Sequence, residues 1–224
     1  MSCRMRAAPT ERSVAIRRSL HIRAAEPTDI DAIYTIALRT GASGQDATHL
    51  YADGRLVGHI WAAPYVLLEP GNGFVVEDEE GVGGYIVGTI DTRAFDARLE
   101  AQWWPTLRPL YADPLPKPAS QWSADETAGY LIHHPVRTPD AIVEPYPSHL
   151  HINLLPRLQG KGVGAMLITR WLDHMRSLGS RGAHFAVSPA NARALAFYRA
   201  YGFVELPRAN ARPHEPAWFA MRLA

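Results

Sequence analysis

The stretch "LPRLQGKGVGAML", residues 155–167, decides how this chain folds, because it places three glycines within five positions and then continues as an apolar helical pattern. Glycine adopts backbone conformations that other residues avoid and leaves space beside the main chain. The first turn of a helix carries N–H groups without intrahelical partners, and the helix dipole is positive there. A glycine-rich loop at this point therefore favours a bound anion such as phosphate. Three glycines alone leave the alternative of a tight turn without a ligand open.

Two common phosphate-binding motifs do not fit this loop. A Walker loop requires GxxxxGK[ST], whereas Lys161 lies between the glycines. The dinucleotide fingerprint GxGxxG would need a third glycine where Ala165 or Leu167 stands. The loop therefore indicates an anion site of another kind.

The residues on either side of the loop predict alternating strands and helices. The apolar spacing of residues 162–178 indicates a helix, with Gly179 as its stop. Ser188 and Pro189 supply a cap and a first-turn proline, which predicts a second helix that runs to about Tyr201. Alternating apolar residues and turn signals predict strands at 21–26, 148–155 and 183–187, and two more in "FVEL" and "AWFAMRL". The same signals predict a hairpin within 73–92, and apolar residues at helical spacing predict a helix at about 29–39. This order is typical of an α/β fold.

The remaining segments are less regular. Residues 93–147 are rich in proline, so we interpret them as an insertion that decorates the sheet, with a helix interrupted near Pro105. Residues 45–72 allow no clear assignment. We expect residues 1–19, which are rich in arginine, to form a flexible tail, and residues 20–224 to form a single domain.

The bulk composition narrows the function classes. Lysine and arginine (23) nearly balance aspartate and glutamate (22), which argues against a nucleic-acid-binding protein. Cys3 is the single cysteine, so no disulfide forms within the chain, which fits a reducing, cytoplasmic compartment. No apolar run approaches the roughly 20 residues that span a bilayer, so we expect no membrane association.

A second motif supports a ligand at the loop. Residues Gln159–Gly164 fit Q/R-x-x-G-x-G/A, and "NARALAFYRAYGF" follows at residues 191–203. Together the two motifs strongly resemble the GNAT superfamily of N-acetyltransferases, and "IRAAEPTDIDAI" at 22–33 resembles its opening R-x-A-x-x-x-D segment. The stretch "YPSHLHINLLPRLQGKGVG" also resembles the acetyltransferase-like domain of O-GlcNAc hydrolases and its free-standing bacterial relatives.

This resemblance implies a GNAT fold, in which a central mixed, mostly antiparallel twisted sheet splays between two neighbouring strands and carries helices on both faces. It also implies acetyl-CoA as the cofactor, with its pyrophosphate held by the backbone of the loop and its pantetheine arm held by the strand before it. The implied cofactor-binding residues are Ile152, Asn153, Leu154, Gln159, Gly160, Lys161, Gly162, Val163, Gly164, Ala165, Asn191 and Tyr198.

The resemblance further implies that Tyr198 protonates the departing thiolate. A phenol has a reference pKa of about 10 and keeps its proton at neutral pH, so the role is chemically reasonable. A purely packing role for Tyr198 is the alternative.

The base that deprotonates the amine is less clear. Ala186 stands where some relatives have a glutamate. His149 and His151, which share one face of a strand, are candidates, and so is Asp91; burial or a surface pair is the alternative for the histidines. Glu144 and an ordered water are further options.

The sequence thus predicts an acetyl-CoA-dependent N-acetyltransferase whose acceptor, a small molecule or a peptide, attacks the thioester directly. The alternative is a catalytically weak or inactive module that binds CoA or a protein partner. No metal site is expected, because the histidines occur without HExxH and without a cysteine partner. A homodimer is left open.

Overall fold

The computed structural model describes residues 20–207 and 215–223. The predicted tail at residues 1–19 lies outside the described residues. Within the described ranges, no helix is both long enough and apolar enough to cross a bilayer.

One sheet organises the fold. In the described part of the chain, seven strands follow one another across the sheet in the order β1-β2-β3-β4-β5-β7-β6. Their bounds are β1 His21–Ala24, β2 Phe74–Asp78, β3 Gly81–Thr89, β4 Ser148–Leu154, β5 Gly182–Val187, β6 Val204–Glu205 and β7 Ala217–Arg222. Neighbouring strands are antiparallel except β4 and β5, which are parallel. The predicted mixed, mostly antiparallel sheet is confirmed.

The parallel pair of strands separates soon after it begins. β4 and β5 pair only at Ser148 with Ala183 and at His149 with His184. Beyond His149, β4 keeps β3 on one side and, in the part of the chain that the structure describes, has no strand on the other. The sheet therefore opens into the V-shaped gap that the family resemblance implied.

Helices cover both faces of the sheet, as predicted. Their bounds are α1 Ile30–Arg39, α2 Leu56–Trp61, α3 Ala63–Leu68, α4 Thr92–Arg98, α5 Trp104–Leu107, α6 Ala124–His133, α7 Asp140–Val143, α8 Val163–Ser177 and α9 Ala192–Tyr201. Because strand side chains alternate between faces, Val75 packs with α1 to α3 whereas Val76 packs with α8 and α9.

The helix after the glycine loop matches its prediction. It starts after Gly162, which has φ +78°, and it ends just before Gly179, which has φ +85°. Leu167, Trp171 and Met175 repeat at helical spacing and are fully buried against the sheet. The glycines bound this helix because their left-handed backbone conformation strains other residues.

The predicted cap of α9 is wrong. The side chain of Asn191, not that of Ser188, caps this helix, because its Oδ1 accepts from the amide of Ala194 at 3.1 Å. Ser188 instead closes a turn before the helix, where its carbonyl accepts from the amide of Asn191 at 2.9 Å. Asn191 is thus committed through one side-chain atom to the helix terminus.

The region 93–147 packs onto the face that carries α1. Ala128 and Ile132 of α6 are buried in the same core as Ile33. The expected interruption near Pro105 is present, since α4 and α5 are separated by a π-helical turn at Leu99–Trp103. Proline has no amide to continue the regular hydrogen-bond ladder at this point.

Candidate active site

The loop before α8 presents backbone amides at the open end of the V-shaped gap. Gly160 and Gly162 both have positive φ, at 72° and 78°, so glycine is needed at both. Met166 donates to the carbonyl of Gly162 at 3.1 Å, which is the first hydrogen bond of the helix. The amides of residues 162–165 precede it and have no intrahelical partner. The glycine spacing predicts an anion site at these amides.

A cavity of about 510 Å³, which we call the loop cavity, lies beside these amides. Its volume suits a small-molecule ligand. The predicted cofactor residues that line it are Ile152, Asn153, Leu154, Gln159, Gly160, Gly162, Gly164, Asn191 and Tyr198. A Cβ on Gly164 would lie 3.3 Å from Phe197 and 3.6 Å from Leu154, both of which line the cavity, so a larger residue would fill space there.

Three predicted cofactor residues do not line the loop cavity. The ammonium of Lys161 donates to the carbonyl of Arg157 at 2.7 Å on the exposed side of the loop. Val163 buries its side chain in the core, and Ala165 is the third residue of the first turn of α8. The backbone amides of Val163 and Ala165 still belong to the set without intrahelical partners.

Arg193 adds a positive charge that the sequence analysis missed. Its guanidinium lines the loop cavity and donates to Oε1 of Gln159 at 2.5 Å. Gln159 in turn donates from Nε2 to the carbonyl of Leu154 at 2.6 Å, so the loop is tied to both β4 and α9. The available signal was a basic residue two positions after Asn191, in the first turn of a helix beside a proposed phosphate site.

A second cavity of about 360 Å³, which we call the splay cavity, occupies the gap between β4 and β5. Residues specific to it include Trp61, Tyr85, His151 and Ala186. The residues that line both cavities are Thr40, Gly44, Ile152, Asn153, Asn191, Ala194 and Tyr198. The two cavities therefore meet, and one ligand in each would approach the other at these shared residues.

Tyr198, the predicted proton donor, lies at this junction. It is 8% exposed, and burial raises the pKa of its phenol further above 10. Its ring packs against Phe185 and Phe197, with ring centroids 4.4 and 5.2 Å away. Within the described ranges its hydroxyl makes no hydrogen bond, so its proton is free for a ligand at neutral pH.

The two candidate histidines occupy different positions. His151 lines the splay cavity, whereas His149 does not. Both are joined to the hydroxyl of Tyr65, at 2.7 Å from His149 Nε2 and 3.1 Å from His151 Nε2. Burial lowers the pKa of His151 to about 4 and places that of His149 well below 6.5, so both rings are neutral at neutral pH. Tyr65 lies in the segment 45–72, where the sequence had no clear pattern.

The other candidate bases are not brought to this junction. Asp91 is the cap of α4, where its carboxylate accepts from the amides of Arg93 and Ala94 at 2.9 and 3.1 Å. Asp91 and Glu144 are exposed and line neither cavity. In residues 20–207 and 215–223, no three His, Cys, Asp or Glu side chains are grouped so that they could hold a metal ion.

Comparisons with known proteins agree with this architecture. The model of the acetyltransferase (GNAT) family matches residues 23–203. Protein O-GlcNAcase from Rattus norvegicus is 27% identical over 143 residues, which cover 63% of this chain and 15% of the rat protein. The chain therefore matches a small part of that longer relative.

Two solved structures show the same fold. SsHAT is 36% identical and superposes with a TM-score of 0.82 over 92% of this chain and 99% of its own. A phosphinothricin acetyltransferase from Sinorhizobium meliloti, solved in complex with AcCoA, is 18% identical, with a TM-score of 0.54 over 91% of this chain and 88% of its own. The second likeness concerns the fold alone.

Proposed function

Because the chain belongs to the acetyltransferase (GNAT) family, we propose that it transfers an acetyl group from acetyl-CoA to the nitrogen of an amine. The observation that carries this proposal is the junction of the two cavities at Tyr198. One cavity offers backbone amides to an anion, and the other offers a neutral histidine to an acceptor. Family and fold alone would not suffice, since function depends on the site.

The residues around the loop cavity fit the diphosphate and the arm of acetyl-CoA. The amides of residues 162–165 would donate to the diphosphate, and the guanidinium of Arg193 would add a charge-assisted hydrogen bond. Within the described residues, the edge of β4 at residues 152–154 that faces away from β3 has no strand beside it. Apart from the Leu154 carbonyl, which accepts from Gln159, the peptide groups on this edge would be available to an extended amide-containing arm. Because the fold already holds these backbone groups in place, they would bind the cofactor without a change of main-chain conformation.

Bound acetyl-CoA supplies an acetyl group activated as a thioester. Tyr198 would hold its proton through the approach of the amine and then donate it to the departing sulfur. His151 would accept the proton that the amine loses as its nitrogen bonds to the acetyl carbon. Of the predicted bases, His151 is favoured because it lines the splay cavity, whereas His149 and Asp91 do not.

Titration calorimetry with acetyl-CoA tests the first half of the proposal. We expect the wild-type protein to bind and Gly162→Ala to weaken binding by at least about tenfold, because the new side chain strains the loop that holds the amides. Gly179→Ala is the matched control, since it has a similar positive φ and equally open space at the other end of α8. Absence of binding by the wild-type protein would refute the proposal.

A thiol-release assay tests the second half. Acetyl-CoA is incubated with small amines, amino sugars and lysine-containing peptides, and free CoA is measured with a thiol reagent. Amine-dependent release by the wild-type protein is expected for at least one of these classes. Tight acetyl-CoA binding without release for any amine would contradict the enzymatic proposal and support the alternative, an inactive CoA-binding module.

A further inference from the structure

A chain of hydrogen bonds runs from the backbone of the β4 entrance to the splay cavity. The hydroxyl of Thr92 lies 2.7 Å from the carbonyl oxygen of Pro147 and 2.8 Å from Nδ1 of His149. Nε2 of His149 lies 2.7 Å from the hydroxyl of Tyr65, which lies 3.1 Å from Nε2 of His151. Three elements, α3, α4 and β4, supply these side chains, so the chain exists only in the folded protein.

Which atom donates in each of these hydrogen bonds follows from the carbonyl oxygen of Pro147, where the series begins. A carbonyl oxygen can only accept, so the single hydroxyl proton of Thr92 points to Pro147. Nδ1 of His149 must then carry the proton that it shares with Thr92. In a neutral imidazole the other nitrogen is an acceptor, so Nε2 of His149 accepts from Tyr65.

The same reasoning fixes the tautomer of His151. Because the Tyr65 proton is given to His149, the Tyr65 oxygen is an acceptor for His151, whose Nε2 must carry a proton. The neighbouring histidines thus hold opposite tautomers, with the proton on Nδ1 in His149 and on Nε2 in His151. Nδ1 of His151 makes no hydrogen bond within the described residues, so its lone pair is left for a ligand.

The groups packed around this series of hydrogen bonds keep the rings of His149 and His151 neutral. Burial and the neighbouring ring of His184 lower the pKa of both histidines. His184 itself donates from Nδ1 to the carbonyl of Tyr146 at 2.6 Å, and its own pKa is lowered to about 4 by burial. The charged groups nearest to Tyr65 and His184 are paired with one another: Asp96 with Arg93 at 3.2 Å, and Glu69 with Arg98 at 2.7 Å.

We propose that Thr92 and Tyr65 are positioning residues that hold His151 in the tautomer with a bare Nδ1, and that this nitrogen takes the proton of the acceptor amine. The second clause rests on the proposed acetyl transfer. In that step the amine N–H bond breaks, its proton moves to Nδ1 of His151, and the electron pair stays on the nitrogen that now bonds to the acetyl carbon. The C–S pair leaves with sulfur, which takes the proton of Tyr198.

Removal of the Thr92 hydroxyl should exchange donor and acceptor in both hydrogen bonds of the Tyr65 hydroxyl, the one to His149 and the one to His151. In Thr92→Val the protonated Nδ1 of His149 would face a methyl group, and an unpaired buried donor is costly. The ring avoids this cost by moving its proton to Nε2, which then donates to the Tyr65 oxygen. Tyr65 turns its own proton to Nε2 of His151, and His151 is left protonated at Nδ1, where it can no longer act as a base.

Two-bond ¹H–¹⁵N correlation spectra of histidine rings test the tautomers directly, without any acceptor. His149→Gln and His151→Gln spectra assign the two rings. The wild-type protein should show Nδ1–H for His149 and Nε2–H for His151, Thr92→Ser should match it, and Thr92→Val should exchange both assignments. An Nε2–H signal for His149 in the wild-type protein, or an unchanged His151 signal in Thr92→Val, would overturn the proposal. Should Thr92→Val not fold, the wild-type spectrum and Tyr65→Phe, which should lose the fixed tautomers, decide the matter.

Turnover separates this inference from the proposed function. With the amine that gives the fastest thiol release, Thr92→Val should lower kcat by about 10² while Thr92→Ser stays within about twofold, since acid-base contributions are of this size. Acetyl-CoA affinity by calorimetry should be the same in all three proteins. A wild-type kcat in Thr92→Val would refute the role of these hydrogen bonds in turnover. If the wild-type protein does not bind acetyl-CoA or does not turn over, the proposed function is refuted, whereas the tautomer result is unaffected.

Discussion

Arg193 in the first turn of α9 donates a hydrogen bond of 2.5 Å to Gln159 in the loop before α8. This contact places a guanidinium beside Gly160, at the end of the loop cavity where unpaired amides collect. In the proposed cofactor site the amides would bind an anion through fixed dipoles, and the guanidinium would add a full charge. The N-termini of α8 and α9 would therefore both contribute to the proposed anion site.

We expect Arg193→Gln to weaken acetyl-CoA binding by about tenfold, because a hydrogen bond to a charged group contributes about 1.5 kcal/mol or more. The affinity of the wild-type protein should also fall more steeply with added salt than that of the variant. Calorimetry at two salt concentrations measures both effects. Arg199→Gln is the control on the same helix, since Arg199 pairs with Glu205 and lines neither cavity. An equal loss of acetyl-CoA affinity in both variants would argue against a site at Arg193.

Tyr198→Phe should separate proton donation from binding. The Tyr198 hydroxyl has no hydrogen-bond partner within residues 20–207 and 215–223, so its removal should leave the melting temperature nearly unchanged. We expect kcat for thiol release to fall by about 10² to 10⁴, with acetyl-CoA affinity within about twofold of wild type. Tyr201→Phe is the control, because its hydroxyl bonds to Thr169 on the surface. A wild-type kcat in Tyr198→Phe would mean that another group protonates the sulfur.

The last third of the chain could be predicted because local chemistry determines it. Gly162 and Gly179 bound α8 through backbone conformations that few other residues adopt, and the buried face between them has a clear helical period. The same holds for the closing strands. The sequence predicts Ser188 as the cap of α9, but Asn191, three residues later, is an equally good cap, and local sequence does not distinguish the turn between them from the start of the helix.

The base and its partners could not be predicted in the same way. His149 and His151 share a face of β4 by simple alternation, but Tyr65 reaches them from a segment that is apolar on nearly all sides and therefore shows no period. Thr92 reaches His149 only because α4 begins where β4 begins. Asp91 was a reasonable candidate from its place after β3, yet its carboxylate is used as a helix cap. Tertiary contacts decide which of these groups meets a ligand.

An ion pair near the N-terminal strand should be essential for stability. Arg23 donates to both carboxylate oxygens of Asp29 at 2.7 Å, and this hydrogen bonding lowers the pKa of Asp29, which is 6% exposed. Asp29→Asn removes the negative charge and turns one of the two acceptor oxygens into a donor amino group that faces the guanidinium. We therefore expect the free energy of unfolding to fall by about 2–4 kcal/mol in urea titrations. Asp31→Asn, on the exposed face of α1, should change it by less than about 0.5 kcal/mol. Equal effects would mean that the pair contributes no more than surface charge.

The buried histidines predict how stability depends on pH. Burial lowers the pKa of His151 to about 4 in the folded chain, while the unfolded chain titrates near 6.5, so the unfolded state binds more protons between these values. The free energy of unfolding should therefore be constant above pH 7.5 and decrease as the pH falls from about 6.5 to 5, before most carboxylates titrate. Each such histidine can contribute up to about 1.4 kcal/mol per pH unit in this window. Urea titrations of wild type and His151→Asn at pH 7.5, 6 and 5 measure the effect, and the variant should show a smaller decrease. An identical decrease in both proteins would mean that His151 is not kept neutral by the fold, and the tautomer argument for its bare Nδ1 would fail with it.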